Sequence, residues 1–174
     1  ITNRLSRKEK QTVEIEERKQ RRKLEGKLKL ILTTLCVAMS VFHLYIAIVY
    51  GMNPLQQRNI HLVFVLVIIF LLYPASNKSN PKKPTVVDWA LIVLSILAVG
   101  SIYFRYPSLV ESGGIYEPQD IIFGAITILL IFEATRRTVG WSLPILSIII
   151  LIYGLLGERI SGPLRHSGFS FIRI

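Results

Sequence analysis

Glu133, Arg136 and Arg137 set one carboxylate and two guanidinium groups three and four residues apart, between two long apolar runs. That spacing brings acid and base to one face of a helix, and the flanking runs place the group at a membrane edge. The chemistry open to it is ion pairing. An unpaired charge at the centre of a bilayer costs about 2.5–3.5 kcal/mol, so a carboxylate just inside the membrane is stabilised by guanidinium groups at the boundary. The plainer reading is a topological stop with snorkelling side chains. The sharper one is a polar lock onto a neighbouring helix.

His43 falls in the outer half of the first apolar run and His61 begins the second from the same side, so the two imidazoles can approach one another. A proton relay would need more ionisable partners than this chain offers. The expected state is a histidine satisfied by a backbone carbonyl or an interfacial water. His166 follows Arg165 and has no acidic neighbour except the distant Glu158. Cys36, the single cysteine, sits inside an apolar run and reads as a small filler. With one cysteine, neither an intrachain disulfide nor a cysteine-cluster metal site can form.

Nothing resembles a phosphate-cradling glycine loop, a metal-binding helix with paired histidines or a serine nucleophile turn. No catalytic, cofactor-binding or metal-ligating residue is therefore assigned. A membrane-embedded enzyme would gather ionisable groups near one face, and the sparse set of His43, His61 and Glu133 argues against that class.

The elements that must position these residues follow from composition. Of 174 residues 51% are hydrophobic, and they are gathered in blocks, which places the chain outside the soluble globular class. The formal charge of +10 is a property of the tail, since 11 of the 21 Lys and Arg lie in the first 29 residues. That tail lacks the interleaved aromatics of a single-strand nucleic-acid binder, so no nucleic-acid partner is expected. It is also too long and too rich in acids for the start of a secretory signal. Residues Thr12 to Lys29 predict a charged helix, because Glu14 with Arg18, Glu17 with Arg21 and Glu25 with Lys29 are each four apart. Such a helix is solvated and fixes topology, or meets anionic lipid.

Leu28 to Tyr50 is the first spanning run and ends at Gly51-Met-Asn-Pro54. Ile60 to Tyr73 is short for a span, but from Leu55 it reaches 19 residues. Charge arbitrates: if it spans, Lys78, Lys82 and Lys83 share a side with the basic tail, as the positive-inside rule requires. Thr85-Val-Val-Asp88 resembles a capping box opening a helix over Val86 to Phe104, in which Gly100 and Ser101 are small enough for close helix contact. Residues 105–120, with Pro107, Gly113 and Gly114, read as an outer loop. Pro118 then opens a helix to about Thr135, with Glu117 as cap and Asp120 near the helix N-terminus. The stretch from Glu133 to Pro144 is read as a short turn, and Gly140 to Gly157 as a fifth helix with Pro144 near its start. The predicted fold is all-α: a polytopic membrane protein with about five transmembrane helices after a charged cytoplasmic N-terminal helix, embedded in the lipid bilayer. The start at Ile1 and the stop at Ile174 inside a patterned segment suggest a piece of a longer polypeptide.

Several stretches together resemble a known family. They are Arg58-Asn-Ile-His61-Leu with Phe70-Leu-Leu-Tyr-Pro74, Glu133-Ala-Thr-Arg-Arg-Thr-Val-Gly140-Trp141-Ser-Leu-Pro144, Tyr153-Gly-Leu-Leu-Gly157 and Leu164-Arg-His-Ser-Gly168-Phe-Ser. They look like the fused permease of a tripartite ATP-independent periplasmic (TRAP) transporter, of the subtype served by a TAXI-type binding protein. Ser167 and Phe169 depart from the family pattern. The resemblance implies a basic tail over 1–29, a small four-helix domain over 30–138 and the start of a large transport domain over 139–174. It implies secondary transport, in which a periplasmic TAXI-type substrate-binding protein delivers an organic anion that a sodium gradient drives inward. Substrate and sodium sites would lie in the remainder of the large permease domain, beyond Ile174. The implied location is the cytoplasmic (inner) membrane of a bacterium or archaeon, with a cytoplasmic N-terminus. In that setting Glu133, Arg136, Arg137, Gly140, Trp141 and Pro144 would serve structure and assembly. The competing reading is a stand-alone membrane assembly or sensor protein.

Overall fold

The structure, a computed structural model, describes residues 21–49, 51–76, 79–80, 82–111, 113, 117–159, 162, 165 and 167. Among these described residues five α-helices occur in order: α1 (Gly26–Val49), α2 (Pro54–Leu72), α3 (Val86–Glu111), α4 (Pro118–Val139) and α5 (Ser142–Leu156), the last continued by a 3-10 turn over Gly157–Arg159. Helices α1 to α4 are long and apolar enough to cross a membrane. The chain is thus an all-α polytopic membrane protein. Of the five expected spans, the last is the exception: α5 has 15 residues, and at 1.5 Å per residue it covers about 22 Å of a hydrocarbon core of about 30 Å.

Helix starts follow local chemistry. Asn53 accepts the backbone N–H of Leu55 through Oδ1 at 2.9 Å, and Pro54 supplies the first helical position of α2. Pro118 does the same for α4, where the Glu117 N–H donates to Asp120 Oδ2 at 2.9 Å. The core lies among α2, α3 and α4, where Leu66, Phe70 and Leu71 meet Ile92, Ala98, Val99, Leu130 and Ala134. Close approach of α3 uses Ser95 and Ala98, both fully buried. Helix α1 packs chiefly on α2 and has no buried residue.

Several expectations are corrected. The close-contact role assigned to Gly100 falls to Ser95 and Ala98, because a Cβ at Gly100 would meet nothing within 4 Å. Ser101 bonds back to its own helix, at Ala98 O. Residues 105–111 are helix, not loop, and Pro107 sits inside α3. Its missing N–H removes a ladder bond, but Arg105 and Tyr106 are tied to α4 and to the start of α2, which holds the last turn. The charged N-terminal helix does not run through to Lys29: residues 21–25 are non-helical, and Gly26, at φ +56°, turns the chain into α1. Glu25 pairs with Lys82 at 3.4 Å rather than with Lys29. The pairs of Glu14 and Glu17, like His166, lie outside the described residues. Cys36 is exposed on α1 and fills no core. The turn read over Glu133 to Pro144 shrinks to Gly140 and Trp141, since α4 continues to Val139.

Candidate functional site

The end of the bundle where α1 begins and α2 stops is called here the basic end. Helix α2 finishes at Leu72 without a glycine cap, leaving its last carbonyls in need of donors. Two arginines supply them. Arg22 Nη1 donates to Phe70 O and Leu71 O, each at 3.0 Å, and the Arg22 backbone N–H donates to Leu72 O at 2.8 Å. Arg137 Nη1 donates to Tyr73 O at 3.2 Å. The negative pole of the α2 dipole favours cations at this place.

Between the two arginines lies Asp88, in the first turn of α3 and fully buried. Its Oδ2 accepts from Arg22 Nη2 at 2.5 Å, from the Thr85 N–H at 2.6 Å and from Thr85 Oγ1 at 2.8 Å; its Oδ1 accepts from Arg137 Nη1 at 2.6 Å. The capping box read at Thr85 and Asp88 is present, with the Asp88 N–H 3.4 Å from Thr85 Oγ1. The same carboxylate is also the meeting point of two guanidinium groups. Burial pulls the Arg22 guanidinium below its ordinary pKa, and the charge and hydrogen bond of Asp88 oppose that loss.

Glu133 extends the network. Its Oε1 accepts from Arg137 Nε at 2.7 Å and Arg136 Nη2 at 2.8 Å, and its Oε2 accepts from Arg136 Nε at 2.7 Å. Arg136 Nη2 reaches Ala75 O at 3.0 Å, and its guanidinium lies 5.6 Å from the Trp141 ring centroid. The cluster therefore holds three guanidinium groups against two carboxylates. The α2 carbonyls meet the remaining positive charge. Arg22 Nε and Arg137 Nη2 are buried without a partner among the described residues, a cost set against the shared carboxylate.

This arrangement ties separate segments of the chain together. Asp88 is enclosed, and its hydrogen bonds go to chain atoms. What the cluster does is join the segment before α1, the end of α2, the start of α3 and the end of α4. Gly140 follows directly, with φ +87° and ψ −163°, a region open essentially to glycine alone. Trp141 is exposed at the start of α5, and Pro144 is that helix's buried residue.

His43 and His61 lie away from this cluster, in the opposite half of the bundle. His43 Nε2 is 2.9 Å from His61 Nδ1, so each imidazole is partnered by the other rather than by a backbone carbonyl. Nearby, a mostly apolar groove of about 370 Å³ opens between α1, α2 and α3, lined in part by Leu35, Asn59, Phe64, Gly100 and Tyr103. At the far end Arg105 Nε meets Asp120 Oδ1 at 2.5 Å, Arg105 Nη2 meets a Glu117 carboxylate oxygen at 2.9 Å, and Asn53 Nδ2 donates to the Tyr106 hydroxyl at 2.5 Å.

Sequence reasoning placed Glu133, Arg136 and Arg137 together but missed Arg22 and Asp88. A carboxylate in the first turn of an apolar helix is a signal that a cation must be near. Arg22 carries no such signal among so many basic neighbours. No family model, no curated protein and no solved structure matches this chain.

Proposed function

We propose that this chain is the N-terminal part of a TRAP-type secondary transporter permease, the kind that takes up an organic anion delivered by a periplasmic TAXI-type binding protein under a sodium gradient. In this reading the described bundle is mainly scaffold, and α5 opens the transport domain that continues beyond Ile174. The observation that carries it is the Asp88–Arg137–Glu133 network, which with the bond from Arg137 to the Tyr73 carbonyl braces three helix ends immediately before Gly140. The bundle is tied where the chain leaves it, and α5 beyond the break keeps only Pro144 buried. A braced unit followed by a weakly packed apolar helix fits a fixed scaffold beside a moving domain.

The basic tail, the Lys82 and Lys83 loop and the Arg136–Arg137 pair would face the cytoplasm under the positive-inside rule, in the inner membrane of a bacterium or archaeon. The first test is the coding sequence past Ile174. A long series of further hydrophobic segments is expected, and a stop codon shortly after would leave the stand-alone assembly or sensor reading. The second is uptake of a labelled carboxylate into proteoliposomes holding the full permease and its binding protein. Uptake that ignores the sodium gradient and the binding protein would overturn the transport reading.

A further inference from the structure

We propose that the groove between α1, α2 and α3 binds one acyl chain of a glycerophospholipid, with the ester carbonyl at Asn59 and the phosphate at Arg58. The inference stands apart from the transport reading and uses none of the residues at the basic end. The groove has a volume of about 370 Å³ and is almost wholly apolar. Its α2 wall runs from Asn59 to Val67 and its α3 wall from Ile96 to Phe104. Each wall rises about 12 Å at 1.5 Å per residue, so the groove lies along the helix axes. A helix body is about 10–12 Å across, too broad for a slot of this volume and length. A hydrocarbon chain parallel to the helices, as lipid chains lie in a bilayer, fits it.

Gly100 explains why the slot is open. A glycine inside a helix lowers stability relative to alanine, and no close helix contact offsets that here, because a Cβ at Gly100 meets nothing within 4 Å. The missing side chain leaves space to the groove. Such space between membrane spans is apolar and stays unwetted, so hydrocarbon fills it. Asn59 marks the polar end. Its Nδ2 is shielded and has no hydrogen-bond partner among the described residues, a cost that water does not relieve in the hydrocarbon region. Rotation of the amide about its last torsion turns an N–H toward the groove, where an ester carbonyl accepts it. Arg58 precedes it, exposed and without an ion pair among the described residues, whereas Arg105 at the same end is held by Asp120 and Glu117. The Arg58 side chain is long enough to reach the headgroup layer, and its charge complements a phosphate. Phosphate, carbonyl and chain are thus met in the order in which a glycerophospholipid carries them.

The probe is phosphatidylglycerol with a diazirine in one acyl chain, added to the full-length protein in detergent micelles and photolysed. Native mass spectrometry counts the bound lipid, and peptide mapping places it. One lipid per chain should attach saturably, with adducts on groove residues such as Phe64, Val67 and Tyr103. Gly100→Leu fills the groove and should abolish that adduct while unfolding no earlier than wild type, since leucine favours helix over glycine. Arg58→Gln should weaken binding about fivefold, and Asn59→Leu should weaken it while leaving the unfolding temperature unchanged. Ile48→Phe, at an exposed position of α1 outside the groove, should change nothing. Absence of a groove adduct in the wild type, the result if a second copy or another segment covers this face, would overturn the proposal. So would equal labelling in Gly100→Leu. If Gly100→Leu unfolds early, the other two variants decide, and unchanged affinity in both would overturn it.

Discussion

Arg137 Nη1 lies 2.6 Å from Asp88 Oδ1, across 49 residues of chain, and both side chains are almost wholly shielded from solvent. The pair joins the end of α4 to the start of α3. Arg22 reaches the other oxygen of the same carboxylate from the segment before α1.

Removing the shared carboxylate should therefore cost more than removing any one arginine. Asp88→Asn leaves two buried guanidinium groups facing a neutral side chain, and breaking a buried pair in this way costs about 3–5 kcal/mol. Thermal unfolding in detergent should show Asp88→Asn as the most destabilised single variant of the cluster. A double-mutant cycle over Asp88 and Arg137 should show coupling, and additive losses would rule out the pairing.

Glu133→Ala should act more mildly, because Arg137 keeps Asp88 and the Tyr73 carbonyl as partners. On the proposed transport reading, the loss would fall on detergent-resistant assembly and membrane abundance, and binding constants for a transported anion would stay unchanged. A selective loss of affinity would refute the scaffold role.

Gly140→Ala tests the break between α4 and α5. A Cβ there meets nothing within 4 Å, so crowding contributes no penalty. The backbone at φ +87° and ψ −163° alone should cost about 1–3 kcal/mol. Chemical unfolding checks the size, and an unchanged midpoint would mean that the chain turns there by another conformation.

Topology can be read by thiol labelling in a Cys36→Ser background. A cysteine placed at Lys82 should react with an impermeant maleimide only from the side carrying the N-terminal tail, and one at Glu111 only from the opposite side. Labelling of both from one side would contradict an odd number of crossings between them.

The far end offers a smaller effect. Tyr106→Phe removes the hydroxyl that accepts from Asn53 Nδ2 at 2.5 Å, and a partly buried hydrogen bond is worth about 1 kcal/mol. Urea unfolding should show a modest loss, well below that of Asp88→Asn.

The sequence by itself determined that the chain is helical and membrane-spanning, because long, predominantly apolar runs leave the backbone no other way to satisfy its hydrogen bonds in lipid. It also placed Glu133 beside Arg136 and Arg137, since contacts three and four residues apart are set by helix geometry, and it brought His43 and His61 to the same depth from antiparallel runs. Tertiary structure alone decided that Arg22 closes the end of α2, that Asp88 serves two arginines at once and that α3 continues through Pro107. Each of these depends on contacts between residues far apart in the chain, where a charged or cyclic side chain is retained because a distant partner meets its cost. Local patterns carry the helix, and long-range pairing decides which of its polar residues matter.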